Sequence, residues 1–157
     1  MKPDTPPLAV PDYWDEACRH LGRRDRVMRK LIPRFGDARL HSRGDAFTTL
    51  ARSIVGQQIS VKAAQSVWER LCAAGRSTPT RLDSDAVNAM DVPRMREAGL
   101  SARKAEYLHD LARHFALSLV RPEAWTSMDD EAIIKELVAI RGIGRWTAEM
   151  FLIFHML

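Results

Sequence analysis

Hydrophobic residues recur at helical spacing along most of this chain. The strongest signal lies between Asp45 and Ala74, where one stripe follows the i, i+3, i+4 spacing: Phe47, Leu50, Ala51, Ile54 and Val55. The stripe breaks at Gly56, and Ser60 is a good N-cap for a following helix with an inward face of Val61, Ala64, Trp68, Leu71 and Cys72. No stretch alternates apolar and polar residues over a strand's length. The pattern therefore predicts an all-α fold.

Shorter stripes predict further helices before and after this region. Their starts are expected near Asp12, Asp25, Asp83, Pro93 and Leu100, and the helix from Asp25 should stop before Pro33. The helix that Leu100 and Ser101 open would bury Ala105, Leu108, Leu111, Ala112 and Phe115. Residues 1–11 are rich in proline and are predicted to be a flexible arm. One all-helical domain over residues 12–157 would remain.

A glycine hairpin is the most distinctive feature of the pattern. Residues 137–148 read LVAIRGIGRWTA, which indicates a helix, a tight turn and a second helix. Ser127 and Asp130 resemble a capping pair for the first helix, so the hairpin is predicted over residues 129–157. Gly142 and Gly144 allow positive φ and a close approach of the backbone to a partner. Ile143 between them would fill the gap between the two helices.

The start of the second hairpin helix is a candidate anion site. Its first N–H groups lack intrahelical partners and its positive dipole end points outward, which suits a DNA phosphate. Arg141 and Arg145 add positive charge on either side. Many helix-to-helix turns contain glycine and bind nothing, so the tripeptide alone favours no ligand.

The segment from Trp146 to Leu157 is apolar nearly all round, which predicts a buried central helix. It stops without a glycine, a cap or a polar terminator. We therefore expect a sequence truncated at its C-terminus, with further helices that would cover this one.

Composition sets wide bounds on function. The 157 residues are 46% hydrophobic and 28% charged, as in globular domains, and Lys plus Arg exceed Asp plus Glu by 24 to 20. This mild basic excess permits a polyanionic partner without requiring one. No apolar run is long enough for a membrane and no signal peptide pattern is present, so a cytoplasmic monomer is expected. Cys18 and Cys72 are isolated, which predicts no metal and no disulfide framework.

The hairpin string resembles the helix-hairpin-helix of the base-excision DNA glycosylases. The Gly56-Gln57-x-Ile59-Ser60 junction and the Gly-Leu-Ser helix start at residues 99–101 narrow the resemblance to the DNA-3-methyladenine glycosylase II type, over roughly residues 45–157. It implies that double-stranded DNA with alkylated bases is the partner. The DNA-binding residues that it implies in the hairpin are Gly142, Ile143, Gly144, Arg145 and Thr147.

The same resemblance gives the two glutamines a role. Gln58 falls at the position of the wedge that fills the gap left by an extruded base, with Gln57 as its neighbour on the DNA-facing rim. From spacing alone, a polar turn between two core helices is the favoured interpretation of this junction.

The resemblance also limits the chemistry. Where some hairpin glycosylases carry a nucleophilic lysine this chain has Trp146, and an indole forms no Schiff base, so a monofunctional enzyme without a cofactor is expected. Two cysteines cannot hold a complete iron–sulfur cluster within these residues. Trp146 is either a wall of the base pocket or a core residue. The catalytic aspartate is expected beyond Leu157, so no catalytic residue is assigned; Asp129, Asp130 and Glu149 are not substitutes.

Three hypotheses therefore stand after the sequence alone. The first is a monofunctional alkylbase DNA glycosylase that lacks its catalytic loop in these 157 residues and is inactive as such. The second is a non-catalytic helix-hairpin-helix module that binds the DNA backbone without sequence preference. The third is an all-helical interaction protein whose glycine turn binds nothing.

Overall fold

A computed structural model describes residues 10–42 and 44–157, so most of the predicted Pro-rich arm lies outside the described residues. Within those ranges every regular element is helical, which confirms the all-α prediction. The α-helices are α1 Trp14–Arg24, α2 Arg26–Phe35, α3 Ala46–Gly56, α4 Val61–Ala74, α5 Ser84–Ala89, α6 Val92–Glu97, α7 Ala102–Ala116, α8 Asp130–Val138 and α9 Arg145–Phe151. A 3₁₀ helix at Pro122–Ser127 precedes α8, and a π-helical stretch at Leu152–Met156 follows α9.

The chain divides into two compact units, which the hydrophobic pattern did not separate. The smaller contains residues 10–42 and 153–157, and the larger contains residues 44–152. In the smaller unit α1 packs on α2, and the Asp25 carboxylate caps α2 by accepting the N–H groups of Val27 and Met28. The prediction that α2 stops before Pro33 is wrong, because the helix continues to Phe35. Pro33 lies in the last turn of α2 and has no N–H to donate to the carbonyl of Arg29. Arg29 is exposed, so water can take the place of that hydrogen bond.

The core of the larger unit forms around α3, which packs against α4, α7 and α9. The α3 stripe is confirmed, since Phe47, Leu50, Ala51, Ile54 and Val55 are all buried. Trp68, Leu71 and Cys72 of α4 are buried as predicted, but Val61 is 88% exposed. Val61 is the first residue of α4, where the helix leaves the junction, and Val67 is buried further along.

Polar side chains set the helix boundaries in this unit. Ser60 and Ser101 cap α4 and α7 with their hydroxyls, each accepting a backbone N–H three residues later. The predicted Ser127 and Asp130 capping pair is wrong. Asp129 caps α8 by accepting the N–H of Ala132 at 2.8 Å, whereas the Ser127 hydroxyl donates back to a carbonyl of the 3₁₀ helix. The 3₁₀ helix displaces the start of α8 to Asp130.

The last helical segment is less buried than its composition predicts. Ala148 and Phe151 are the buried residues of α9, and the Phe151 ring packs edge-on against Trp125 at 5.4 Å between centroids. Ile153 and Phe154 are about half exposed, at 48% and 51%. The described residues therefore do not bury this segment all round, and its cover by further helices stays a prediction. Among those same residues, no helix combines the length and the apolarity needed to cross a bilayer.

Candidate nucleic-acid interface

The hairpin loop between α8 and α9 closes over a tyrosine of α7. Gly142 has φ of +87°, and a Cβ built on it would lie 2.2 Å from Cδ2 of Tyr107. No side chain fits that space, so glycine is required here for packing as well as for backbone conformation. Ile143 is only 4% exposed, as expected of a residue that fills the gap between the hairpin helices. Sequence reasoning missed Tyr107.

Gly144 differs from Gly142 in its backbone conformation and in the space around its Cβ position. Its φ of −90° and ψ of 169° are ordinary extended values, so the expectation that both glycines serve positive φ is wrong for this one. A Cβ on Gly144 would meet nothing within 4 Å. Gly144 is also the N-cap of α9 and supplies no side-chain hydrogen bond to the helix start. The first turn of α9 is thus open to solvent beside a residue without a side chain.

Arg145 is matched by two carboxylates on the protein surface. Its Nη1 donates to Glu131 Oε2 at 3.0 Å, its Nη2 donates to Glu131 Oε1, and its Nε donates to Glu149 Oε1 at 2.9 Å. The hydrogen bond from Arg145 lowers the pKa of Glu131, and the same pairing raises the pKa of Arg145. All three side chains are exposed, so such pairs exchange readily with a competing anion.

Arg141 is held by acidic residues of α7. Its backbone N–H donates to Asp110 Oδ2 at 2.8 Å, and its guanidinium Nη2 lies 3.3 Å from Glu106 Oε2. The two arginines that flank the loop are therefore both ion-paired in the free protein.

The α3–α4 junction lies beside the hairpin loop. The side-chain Nε2 of Gln57 donates to the carbonyl of Gly142 at 2.8 Å, across 85 residues of sequence. Gln58 is exposed and has φ of +59°, a left-handed conformation that is uncommon for a residue with a side chain. The structure thus joins the α3–α4 junction to the hairpin loop through Gln57, and Gln58 is the exposed residue that follows it.

Lys104 fixes this junction. The sequence indicated a structural role for it, as part of the Gly-Leu-Ser-x-x-Lys-Ala motif at residues 99–105, but not its partners. Its Nζ donates to the carbonyls of Val55 at 2.8 Å and of Gln57 at 2.6 Å. Burial lowers the pKa of the Lys104 ammonium. The motif match gave no indication that Lys104 reaches the α3–α4 junction, because those carbonyls lie 47 and 49 residues away.

Trp146 stands on the first turn of α9 with 71% of its surface exposed. The described residues therefore leave most of the indole uncovered, and the choice between a pocket wall and a core residue stays a prediction. Thr147, the next predicted contact, is half-buried.

The described residues contain no cluster of potential metal ligands, and their two cysteines form no disulfide. No group of three or more His, Cys, Asp or Glu side chains in residues 10–42 and 44–157 is arranged to hold a metal ion. Cys18 and Cys72 are free, and burial raises the pKa of the Cys72 thiol, which keeps it protonated.

Comparison with known proteins adds a family to this geometry. The HhH-GPD superfamily base excision DNA repair protein family matches residues 51–150. DNA-3-methyladenine glycosylase 1 of Schizosaccharomyces pombe is 32% identical over 130 residues, which are 81% of this chain and 56% of that protein. The DNA-3-methyladenine glycosylase of Saccharomyces cerevisiae is 36% identical over 115 residues, or 69% of this chain and 39% of that protein.

A solved structure agrees with these relatives. The Schizosaccharomyces pombe 3-methyladenine DNA glycosylase in complex with abasic DNA superposes with a TM-score of 0.77 at 31% identity, over 90% of this chain and 70% of that one. The chain spans 56% and 39% of the two curated relatives named above, about half of their length.

Proposed function

The chain belongs to the HhH-GPD superfamily of base excision DNA repair proteins, and on this premise we propose that it forms the DNA-binding part of a monofunctional glycosylase for alkylated bases. The single observation that carries the proposal is the hydrogen bond from Gln57 to the Gly142 carbonyl. Gln58 follows Gln57 directly in the chain, so this bond supports a position for the exposed Gln58 beside the hairpin loop. Gln58, which would fill the gap left by an extruded base, and the hairpin loop, which would bind a backbone phosphate, can then contact one duplex at the same time.

The hairpin is the proposed anchor for a DNA phosphate. The open space at Gly144 lets an anion approach the first N–H groups of α9, which lack intrahelical partners. Arg145 is proposed to exchange Glu131 or Glu149 for the phosphate, since exposed ion pairs contribute little stability. Buried Ile143 supports the loop, and Thr147 is proposed to contact the backbone from the first turn of α9.

The exposed Trp146 ring suits a cationic base. An alkylated purine carries positive charge, so it is a good leaving group and is attracted to the face of an indole. The enzyme must then extrude the base from the stack and stabilise the developing sugar cation with a carboxylate. That carboxylate is proposed to come from an aspartate outside these 157 residues. The tryptophan at the position of a nucleophilic lysine supports hydrolysis without a Schiff base.

A non-catalytic DNA-binding module is the second candidate for this chain by itself. The observation in its favour is that the carboxylates contacting the hairpin arginines are all engaged: Glu106 and Asp110 with Arg141, and Glu131 and Glu149 with Arg145. None of these four is offered to a sugar in the free protein.

One experiment separates the two candidates. Release of 3-methyladenine and 7-methylguanine from methylated duplex DNA is measured for this chain and for the full product of its gene, together with binding to the same duplex. Release by the full product alone, with binding by both, supports a glycosylase. Binding without release in either supports the module, and the absence of binding by either overturns both candidates in favour of an interaction protein.

A further inference from the structure

Helix α7 contacts both loops of the proposed interface. Lys104 and Tyr107 lie about one turn apart, so their side chains leave the helix on the same side. Lys104 donates to the carbonyls of Val55 and Gln57, while the Tyr107 ring lies against Gly142. A single rigid helix therefore contacts the end of α3, the α3–α4 junction and the hairpin loop.

The contacts of Lys104 are suited to fixing a backbone. The carbonyl of Val55 is one of the last four of α3, which have no intrahelical partner, and a cation at a helix C-terminus interacts favourably with the helix dipole. The carbonyl of Gln57 belongs to the peptide immediately before Gln58. One ammonium group thus holds both the end of the helix and the peptide that sets the direction of Gln58.

Gln58 needs such support. A non-glycine residue at φ of +59° adopts a sparsely populated conformation, which persists where the surroundings determine it. The exposed side chain of Gln58 has no hydrogen bond to another residue among those described, whereas Gln57 is held at both ends, by Lys104 at its carbonyl and by Gly142 at its amide. The constraint on Gln58 therefore comes through Gln57.

We propose that Lys104 and Gln57 are positioning residues that lock the α3–α4 junction to the hairpin loop, and so fix the spacing between the wedge residue Gln58 and the phosphate anchor. The proposal rests on the proposed function for its consequence, which is preference for DNA with a missing base. A protein whose two loops move independently still holds a phosphate with the hairpin. It no longer presents the wedge at the gap in the same complex.

The test uses the full 157-residue chain and four variants. Lys104→Met removes the ammonium and keeps the length of the side chain, Lys104→Arg keeps a cation, and Gln57→Met removes the amide that reaches Gly142. Lys135→Met is the matched control, because Lys135 is an exposed lysine on α8. Each protein is compared with the wild type by hydrogen exchange of the backbone amides of residues 140–146 without DNA. Its affinity is then measured for an undamaged duplex and for a duplex with a stable abasic analogue.

The expected result is faster exchange at the hairpin amides in Lys104→Met and Gln57→Met, and a loss of abasic preference of about fivefold, as for one net hydrogen bond. Affinity for the undamaged duplex should stay within about twofold of the wild type, since Lys104 and Gln57 do not hold the phosphate in this proposal. Lys104→Arg should restore most of the preference, and Lys135→Met should change neither readout. A merely structural role would weaken both affinities together and leave their ratio unchanged.

Unchanged exchange and an unchanged affinity ratio in both methionine variants would overturn the proposal. If Lys104→Met does not fold, Gln57→Met decides by the same two readouts, because it removes a single half-buried hydrogen bond. If the wild type shows no abasic preference at all, the proposed function fails. Hydrogen exchange at the hairpin then decides the locking role without DNA.

Discussion

Replacing Gly142 with alanine should destabilise the protein severely without any ligand being involved. The new Cβ would lie 2.2 Å from Cδ2 and 2.5 Å from Cγ of Tyr107. Cγ is fixed to the root of the side chain, so the ring cannot turn away about its own axis to make room. Left-handed backbone costs an alanine roughly 1–2 kcal/mol, and overpacking costs roughly 1–3 kcal/mol. The expected loss in free energy of unfolding is therefore about 2–5 kcal/mol.

Thermal and urea denaturation followed by circular dichroism measure this loss. For a chain of this size each kcal/mol lowers the midpoint by roughly 2–4 °C, so Gly142→Ala should melt about 4–20 °C below the wild type. Gly144→Ala is the matched control, because its Cβ meets nothing within 4 Å and its φ is −90°. That variant should lose no more than about 1 kcal/mol, because alanine is a poorer N-cap residue than glycine and the new Cβ adds no steric cost.

A double-mutant cycle assigns the steric part to the tyrosine. With Tyr107→Ala in the background, Gly142→Ala should cost less by about 0.5–3 kcal/mol, since the ring that blocks the Cβ is gone. Equal stability of Gly142→Ala and the wild type would refute the packing argument. Equal losses at Gly142 and Gly144 would show that the loop is sensitive to any side chain.

Three further predictions concern the surface of the hairpin. Glu131→Gln should raise affinity for undamaged duplex DNA and increase the salt slope of binding by about one, because Glu131 no longer competes with phosphate for Arg145. A lower affinity in a fluorescence titration would contradict this. Trp146→Ala should reduce base release by the full gene product about tenfold while duplex affinity stays within about twofold, and equal losses in both assays would exclude a pocket role. Glu131 should titrate below an ordinary glutamate by NMR and return towards it in Arg145→Met. Its depressed pKa gives stability that is present above the unfolded pKa and is lost as pH falls through the folded one.

The parts of the fold that were predictable from the sequence are those set by local interactions. The buried stripe of α3 and the serine caps at residues 60 and 101 depend on residues within one or two turns of each other, which spacing reveals. The capping pair of α8 failed for a local reason as well. A 3₁₀ helix over Pro122–Ser127 competed for Ser127, and no stripe marks so short an element.

The organisation of the site could not be predicted in this way, because it depends on contacts between distant segments. Lys104 reaches carbonyls 47 and 49 residues away, and Gln57 reaches one 85 residues away. Hydrophobic periodicity placed each of these residues on a helix or at a junction, yet it carries no information about which junction lies opposite which helix. The family resemblance placed the glutamines at the DNA without indicating that Gln57 faces the protein.

Gly142 and Gly144 belong to one motif, but the structure gives a different physical reason for glycine at each position. Both glycines were expected to serve close approach to DNA, but the space at Gly142 is filled by Tyr107 of the same chain, whereas the space at Gly144 is empty. A substitution at Gly142 that abolishes DNA binding would therefore say nothing about a phosphate, because the fold would change first. Only Gly144 combines an unstrained backbone, an unfilled Cβ position and a place at the start of α9. A bulky residue there that weakens DNA binding in a stably folded protein identifies the hairpin as the contact, and unchanged binding assigns the contact to another surface.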